Sequence, residues 1–265
     1  WRHIYGGSRS DFAISIVKIS DGSYAITGNS ESNDGDVAGQ SMTGANSIAH
    51  IMVIKIDSVG ALQWAKLFGG IGEDFGTSIS VSPTGVLAVA GNTSSRTGDF
   101  ANLGVRTIDM FLITVSPFGD LVWAKRFGGE RFDHGHAVVP TPDNGWMLTG
   151  KAISFDGMFE GMSRGGGTDI YVIRVDQHGD ILWKRSIGGE WYEVGSSIVL
   201  TPDGCLVTGW TNSDNGDFLG TNRGNNDLFA VAVQADQKII AAGSKSDGAD
   251  GFDVLLVRYN SDGSP

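Results

Sequence analysis

Apolar residues fall in short runs of about seven, separated by turns rich in Gly, Asp and Ser. In the first stretch the runs are Ala13–Ile19, Ser23–Asn29, Ile51–Ile56 and Leu62–Phe68. Val, Ile, Leu and aromatics dominate them, and no segment sustains a period of 3.6, so the pattern predicts strands and no helices. The runs belong to a repeat. Trp1, Trp64, Trp123 and Trp183 lie 63, 59 and 60 residues apart. Each is followed by a glycine pair (Gly6-Gly7, Gly69-Gly70, Gly128-Gly129, Gly188-Gly189) and then an acid: Asp11, Asp74, Asp133, Glu193. The second run of each unit ends in Gly28, Gly91, Gly150 or Gly209, and Asp109, Asp169 and Asp227 open a third run.

Four short antiparallel strands per unit predict an all-β chain built as a β-propeller of four-stranded blades. One four-stranded sheet cannot cover both faces; packing blade on blade does so. The tryptophan is expected to wedge between blades. The glycine closing strand two is expected at a bulge or a close backbone approach. One domain spans 1–265, with repeats at 6–68, 69–127, 128–187 and 188–243. The end breaks the period, because Gly243 follows Gly209 by only 34 residues. Asp227–Gln234 reads either as strand three of unit four or as strand one of a fifth unit. About five blades are expected, the last incomplete (244–265) and closed by Trp1–Tyr5. The runner-up is a piece of a six- or seven-bladed ring. Starting at Trp1, the chain reads as processed, trimmed or excerpted.

The units from Trp64-Ala-Lys-Leu-Phe-Gly-Gly to Asp120-Leu-Val-Trp123 resemble the repeats of bacterial secreted and cell-surface β-propeller proteins. Ala230 to Gly243, continued to Gly263, is similar to the delta-sixty repeat, which has Gly where Gln237 stands. The turn Asp57-Ser-Val-Gly60 followed by Trp64 is closer to the tryptophan-docking repeat of quinoprotein dehydrogenases than to the sialidase repeat. These resemblances imply architecture and an extracellular or surface location. They supply no chemistry, because a fold does not fix a function.

Composition narrows the classes. Forty glycines accompany only six prolines, without a Gly-x-y period, which excludes collagen. A net charge of -11 argues against nucleic acid as a partner. No run is long enough for a membrane helix, so membrane insertion is not expected. The lone Cys205 excludes an intrachain disulfide and reads as a buried small hydrophobe.

The loops after strand two carry the best metal candidates: Asp34 and Asp36 in unit one, and Asn212, Asp214 and Asp217 in unit four. Asp and Asn spaced around Gly can wrap Ca²⁺, which wants six to eight oxygens, or can form Asx turns. Asp11, Asp74 and Asp133 recur with Lys55, Arg174 and Arg258 and read as scaffold pairs. His134 and His136 supply two imidazoles, one short of a zinc site. No catalytic residue and no organic cofactor is assigned. The expected function is a non-enzymatic binding, adhesion or display module for a protein or glycan partner. The alternatives are a carbohydrate-active enzyme, with exposed Trp146, Trp191 or Trp210 near a cluster of acids, and a ligand-free spacer.

Overall fold

The computed structural model describes residues 1–40, 48–163, 165–219, 226–234, 239–245 and 253–259, the last two ranges through their backbone. Seventeen strands form four antiparallel sheets, and no α-helix occurs among the described residues. The first sheet is β1 (Asp11–Lys18), β2 (Tyr24–Ser30), β3 (His50–Ile56) and β4 (Leu62–Phe68), paired in that order. The second repeats it with β5 (Asp74–Val81), β6 (Leu87–Thr93), β7 (Asp109–Val115) and β8 (Leu121–Phe127). The third does so with β9 (Asp133–Pro140), β10 (Trp146–Ala152), β11 (Asp169–Val175) and β12 (Ile181–Ile187). The fourth has five strands: β13 (Glu193–Thr201), β14 (Gly204–Thr211), β15 (Asp227–Gln234), β16 (Ile239–Lys245) and β17 (Asp253–Tyr259).

The sheets pack through their first strands, β1 on β5, β5 on β9 and β9 on β13. Three apolar layers fill the junctions. Ile51, Val53 and Phe68 meet Leu87, Val89 and Phe111; Met110 and Leu112 meet Leu148 and Tyr171; Ile170 and Val172 meet Val207 and Phe229. Strands β3, β7 and β11 are buried along their whole length, which is why their sequences are apolar on both faces. Main-chain bonds cross each junction: the N–H of Asp74, Asp133 and Glu193 donate to Ala49, Ile108 and Thr168 carbonyls.

The glycines closing strand two behave as expected. A Cβ at Gly28, Gly91, Gly150 or Gly209 would collide with the carbonyl of Phe12, Phe75, His134 or Val194 on strand one, and the ladder register shifts beside each of them. The tryptophans bridge sheets. Trp64 Nε1 donates to Pro117 O (3.1 Å) in the β7–β8 turn, and Trp123 Nε1 donates to Gln177 O (2.9 Å) in the β11–β12 turn.

Among the described residues there are four sheets, and β16 and β17 extend the fourth. Residues 1–10 form no strand. β15 pairs with β14 as a third strand does, with Asp227 opposite Thr211 as Asp109 is opposite Thr93, and it pairs with β16 on its other edge. One strand therefore serves both units, which accounts for the shortened spacing. The turn Ser261-Asp262-Gly263 and Gln237 lie outside the described residues. Ile16 is 59% exposed, whereas Ile79, Val138 and Ile198 at the same place in later sheets are almost fully buried.

Candidate functional site

The recurring acids sit where the loop before strand one meets the loop after strand two. The glycine pair lets the first loop turn back on itself, so its amides point inward. Asp74 Oδ2 accepts the Gly70 N–H (3.0 Å) and the Ser95 hydroxyl (2.7 Å), and Oδ1 accepts the Thr93 hydroxyl (2.5 Å). Asp133 accepts the Gly129 N–H (2.9 Å), the Ser154 hydroxyl (2.8 Å) and the N–H groups of Ile153 and Ser154. Glu193 accepts the Gly189 N–H and the Thr211 hydroxyl, each at 2.9 Å. Asp11 repeats the arrangement with Gly7, Ser30 and Ser32, in a half-exposed setting. These carboxylates clasp two loops together, and their partners are amides and hydroxyls instead of the basic residues the sequence suggests.

Burial pushes Asp74 and Asp133 up to about 6 despite these donors. Burial also raises Asp99, whose Oδ2 accepts the Gly69 N–H. The strand-three bases find acids in the neighbouring turn. Lys55 Nζ is 3.2 Å from Asp21, and Arg174 Nη2 is 2.5 Å from Asp143. Arg126 pairs with Asp109 at 2.9 Å.

The calcium candidates join the same loop ties. Asp34 Oδ1 accepts the Ser8 N–H (2.7 Å) and Asp36 Oδ2 the Gly6 N–H (2.8 Å). In the fourth sheet Asn212 Oδ1 accepts the Tyr192 N–H (2.8 Å) and Asp217 Oδ2 the Gly188 N–H (3.0 Å). Thr97 replaces Asp34 in the second sheet and accepts the Ile71 N–H, so the role needs an oxygen, not a charge. Asp214 neighbours these residues in the loop. Among the described residues no three His, Cys, Asp or Glu side chains converge as a metal site requires.

The histidine pair lies on β9. His136 Nδ1 is 2.8 Å from the Gly195 carbonyl across the junction. Burial lowers both imidazoles, His134 to about 4. Cys205 is fully buried, and burial pushes its thiol up to about 12, so it has no nucleophile character. Trp146 is buried in the core rather than exposed; Trp191 and Trp210 are exposed.

Of one surface feature the sequence suggested only Trp191. At the clasp end of sheets three and four, Phe132, Phe155, Trp191 and Tyr192 are all exposed, and the Arg131 guanidinium lies 4.5 Å over the Phe155 ring. Phe132 and Tyr192 stand where the earlier units carry Ser10 and Glu73. Comparing the residue before each clasp acid would have found them.

No family model matches the chain. A curated relative is the regulatory protein FlaEY of Caulobacter vibrioides, 28% identical over 203 residues, or 73% of this chain and 20% of that protein. The chain thus spans about a fifth of that relative's length. Among solved structures it is similar to a protein of unknown function from Bacteroides caccae, with TM-score 0.41 and 11% identity over 95% of this chain and 79% of that one. It is also similar to a GH43 endo-arabinanase from Bacillus licheniformis, with TM-score 0.34 and 12% identity over 98% and 99%. These likenesses are too distant to assign a family.

Proposed function

We propose that the chain is a β-propeller of about five blades that serves as a binding, adhesion or display module of a bacterial secreted or surface protein, with a protein or glycan as partner. The last blade is completed by Trp1–Tyr5. The observation that carries the binding reading is the group of exposed aromatics Phe132, Phe155, Trp191 and Tyr192 on loops tied by the clasps. Exposed apolar side chains gathered at one end of a fold mark interaction surfaces, and loops on a scaffold are where recognition residues gather. The acids at the repeated positions are engaged with amides and hydroxyls, an arrangement suited to a scaffold. Acid–base catalysis instead calls for two carboxyl groups in unlike environments around a cleft.

The test is an array of bacterial and host glycans and surface proteins probed with the full chain. The reading expects retention of one class of partner, at least tenfold reduced by Trp191→Ala combined with Phe155→Ala. Retention that this double variant leaves unchanged, or none at all, overturns it.

A further inference from the structure

The repeat breaks where the third sheet meets the fourth. In the first two sheets an asparagine follows the glycine that closes strand two, and it reaches across the junction to the next sheet. Asn29 Oδ1 accepts the Gly76 N–H (3.0 Å), and Asn92 Oδ1 accepts the Gly135 N–H (2.9 Å). The third sheet carries Lys151 at this position. The ladders set the equivalence: Asn29, Asn92 and Lys151 stand opposite Phe12, Phe75 and His134. Lysine offers donors and no acceptor. The Gly195 N–H, the counterpart of those of Gly76 and Gly135, therefore has no such acceptor.

The residues beside Lys151 change with it. His134 and His136 stand on β9 where β5 carries Phe75 and Thr77, and their ring centroids are 6.4 Å apart. His136 keeps the bond across the junction that Thr77 makes. Thr77 Oγ1 donates to the Gly135 carbonyl, and His136 Nδ1 donates to the Gly195 carbonyl, each at 2.8 Å. That bond places the hydrogen on Nδ1 and leaves Nε2 for another partner. Among the described residues, His136 Nε2, both ring nitrogens of His134 and Lys151 Nζ have no hydrogen-bond or ion-pair partner. The three residues are half-buried, and none of these nitrogens is shut off from solvent.

Three replacements at one junction thus exchange an amide, an apolar ring and a hydroxyl for nitrogen donors, in a chain of net charge -11. Burial lowers both imidazoles, Lys151 lowers both further, and His136 adds to the effect on His134. No carboxylate is among the charges that act on either ring. A half-buried ammonium is costly unless it is paired. A metal cation would meet the repulsion of Lys151 without a carboxylate to offset it, and a neutral ligand would leave the ammonium without a counter-charge. An anionic oxygen supplies both the charge and the acceptors, through charge-assisted hydrogen bonds about twice as strong as neutral ones.

We propose that Lys151, His134 and His136 form a site for one oxyanion (a carboxylate, phosphate or sulfate) at the junction of the third and fourth sheets. A free ion and the acid group of an acidic sugar share this chemistry, and the test separates them. The site uses none of the exposed aromatics and goes beyond the binding surface proposed above.

The test titrates phosphate, sulfate, acetate and glucuronate into the full chain at pH 6, with chloride holding the ionic strength constant, and follows the ring signals of His134 and His136 by NMR. The expected result is saturable millimolar binding of at least one oxyanion. It should shift both ring signals and raise the pH at which each imidazole takes up its proton, because a nearby anion favours the charged form. Lys151→Asn restores the residue of the first two sheets and should weaken binding at least tenfold. Lys151→Met, which keeps the length of the side chain and removes its charge, decides the matter should Lys151→Asn fail to fold. Glucuronate held at least tenfold more tightly than the other three ions identifies an acidic sugar as the source; any other order identifies the free ion. No saturable shift with any of the four, or equal binding by the wild type and a folded Lys151 variant, overturns the site.

Discussion

Trp1 lies against the turn at Gly60 as Trp64 lies against the turn at Gly119 and Trp123 against the turn at Gly179. Tyr5 Oη also donates to the Gly60 carbonyl at 2.5 Å. The N-terminal segment thus sits where the outer strand of a preceding sheet would. At the other end, β16 and β17 pair end to end, Ile239 with Tyr259 and Lys245 with Asp253, in the register of second and third strands elsewhere. Lys66 stands opposite Val53; by the same count His3 falls opposite Leu256 in a closed ring. In a Cys205→Ser background, His3→Cys with Leu256→Cys should form a disulfide within monomers. Crosslinking only between chains, or none, would contradict closure by Trp1–Tyr5.

The clasp predicts unequal costs for like substitutions. Asp133→Ala strips partners from buried amides and a buried hydroxyl, each worth about 1–3 kcal/mol. A loss near 3 kcal/mol is expected in urea unfolding. Asp11→Ala removes the same clasp in a half-exposed place, where water replaces the lost partner, and should cost less than half as much. Equal losses would show that burial does not set the strength of the clasp.

The pH dependence has a definite sign. Asp133 rises to about 6 in the folded chain, against about 3.9 when unfolded. The native state therefore holds the proton more tightly between these values. The contribution of this group is full below pH 4 and fades as pH rises through 6. Buried His50 and half-buried His134 and His136, all lowered, act oppositely and lose stability as pH falls through the same window. Asp133→Asn removes only the first contribution. The gap in melting temperature between wild type and variant should be larger at pH 4.5 than at pH 7.5; a gap that widens toward high pH would reverse the assignment.

Calcium is a direct discriminator for the loop acids. Asp34, Asp36, Asn212 and Asp217 each accept a backbone N–H, and each loop is already tied without an ion. Millimolar Ca²⁺ and EDTA should leave the melting temperature unchanged. A rise with Ca²⁺ would mean that the native state binds the ion and would make these loops a metal site.

Much of the fold was legible in the sequence. Leu62–Phe68 was read with its observed bounds, and Ala13–Ile19 and Ser23–Asn29 fell within two residues of β1 and β2. Period-two runs bounded by Gly turns dictate this. The glycines of strand two were legible because a recurring Gly inside an apolar strand has few other reasons to exist. Each loop after strand two holds a short 3-10 turn that buries one apolar residue: Val37, Phe100, Phe159 or Phe218. Phe100 and Phe218 pack at a tilt against Phe111 and Phe229 with centroids 5.2 Å apart, and Phe159 packs at a tilt against Tyr171 at 4.0 Å. A single apolar residue in a polar loop carries no period, so only the three-dimensional neighbour reveals it. The partners of Asp74 and Asp133 were misjudged for a related reason. Charge suggests charge, but the glycine pair four residues earlier had already aimed an amide at each carboxylate.

In the proposed role the chain binds a partner without transforming it. The most direct measurement incubates the full chain with the glycans retained on the array, and with a panel of plant and bacterial polysaccharides, then weighs the products by mass spectrometry. The account predicts ligands of unchanged mass, bound and released intact. Fragments that accumulate with time and protein concentration would contradict it and make the chain an enzyme.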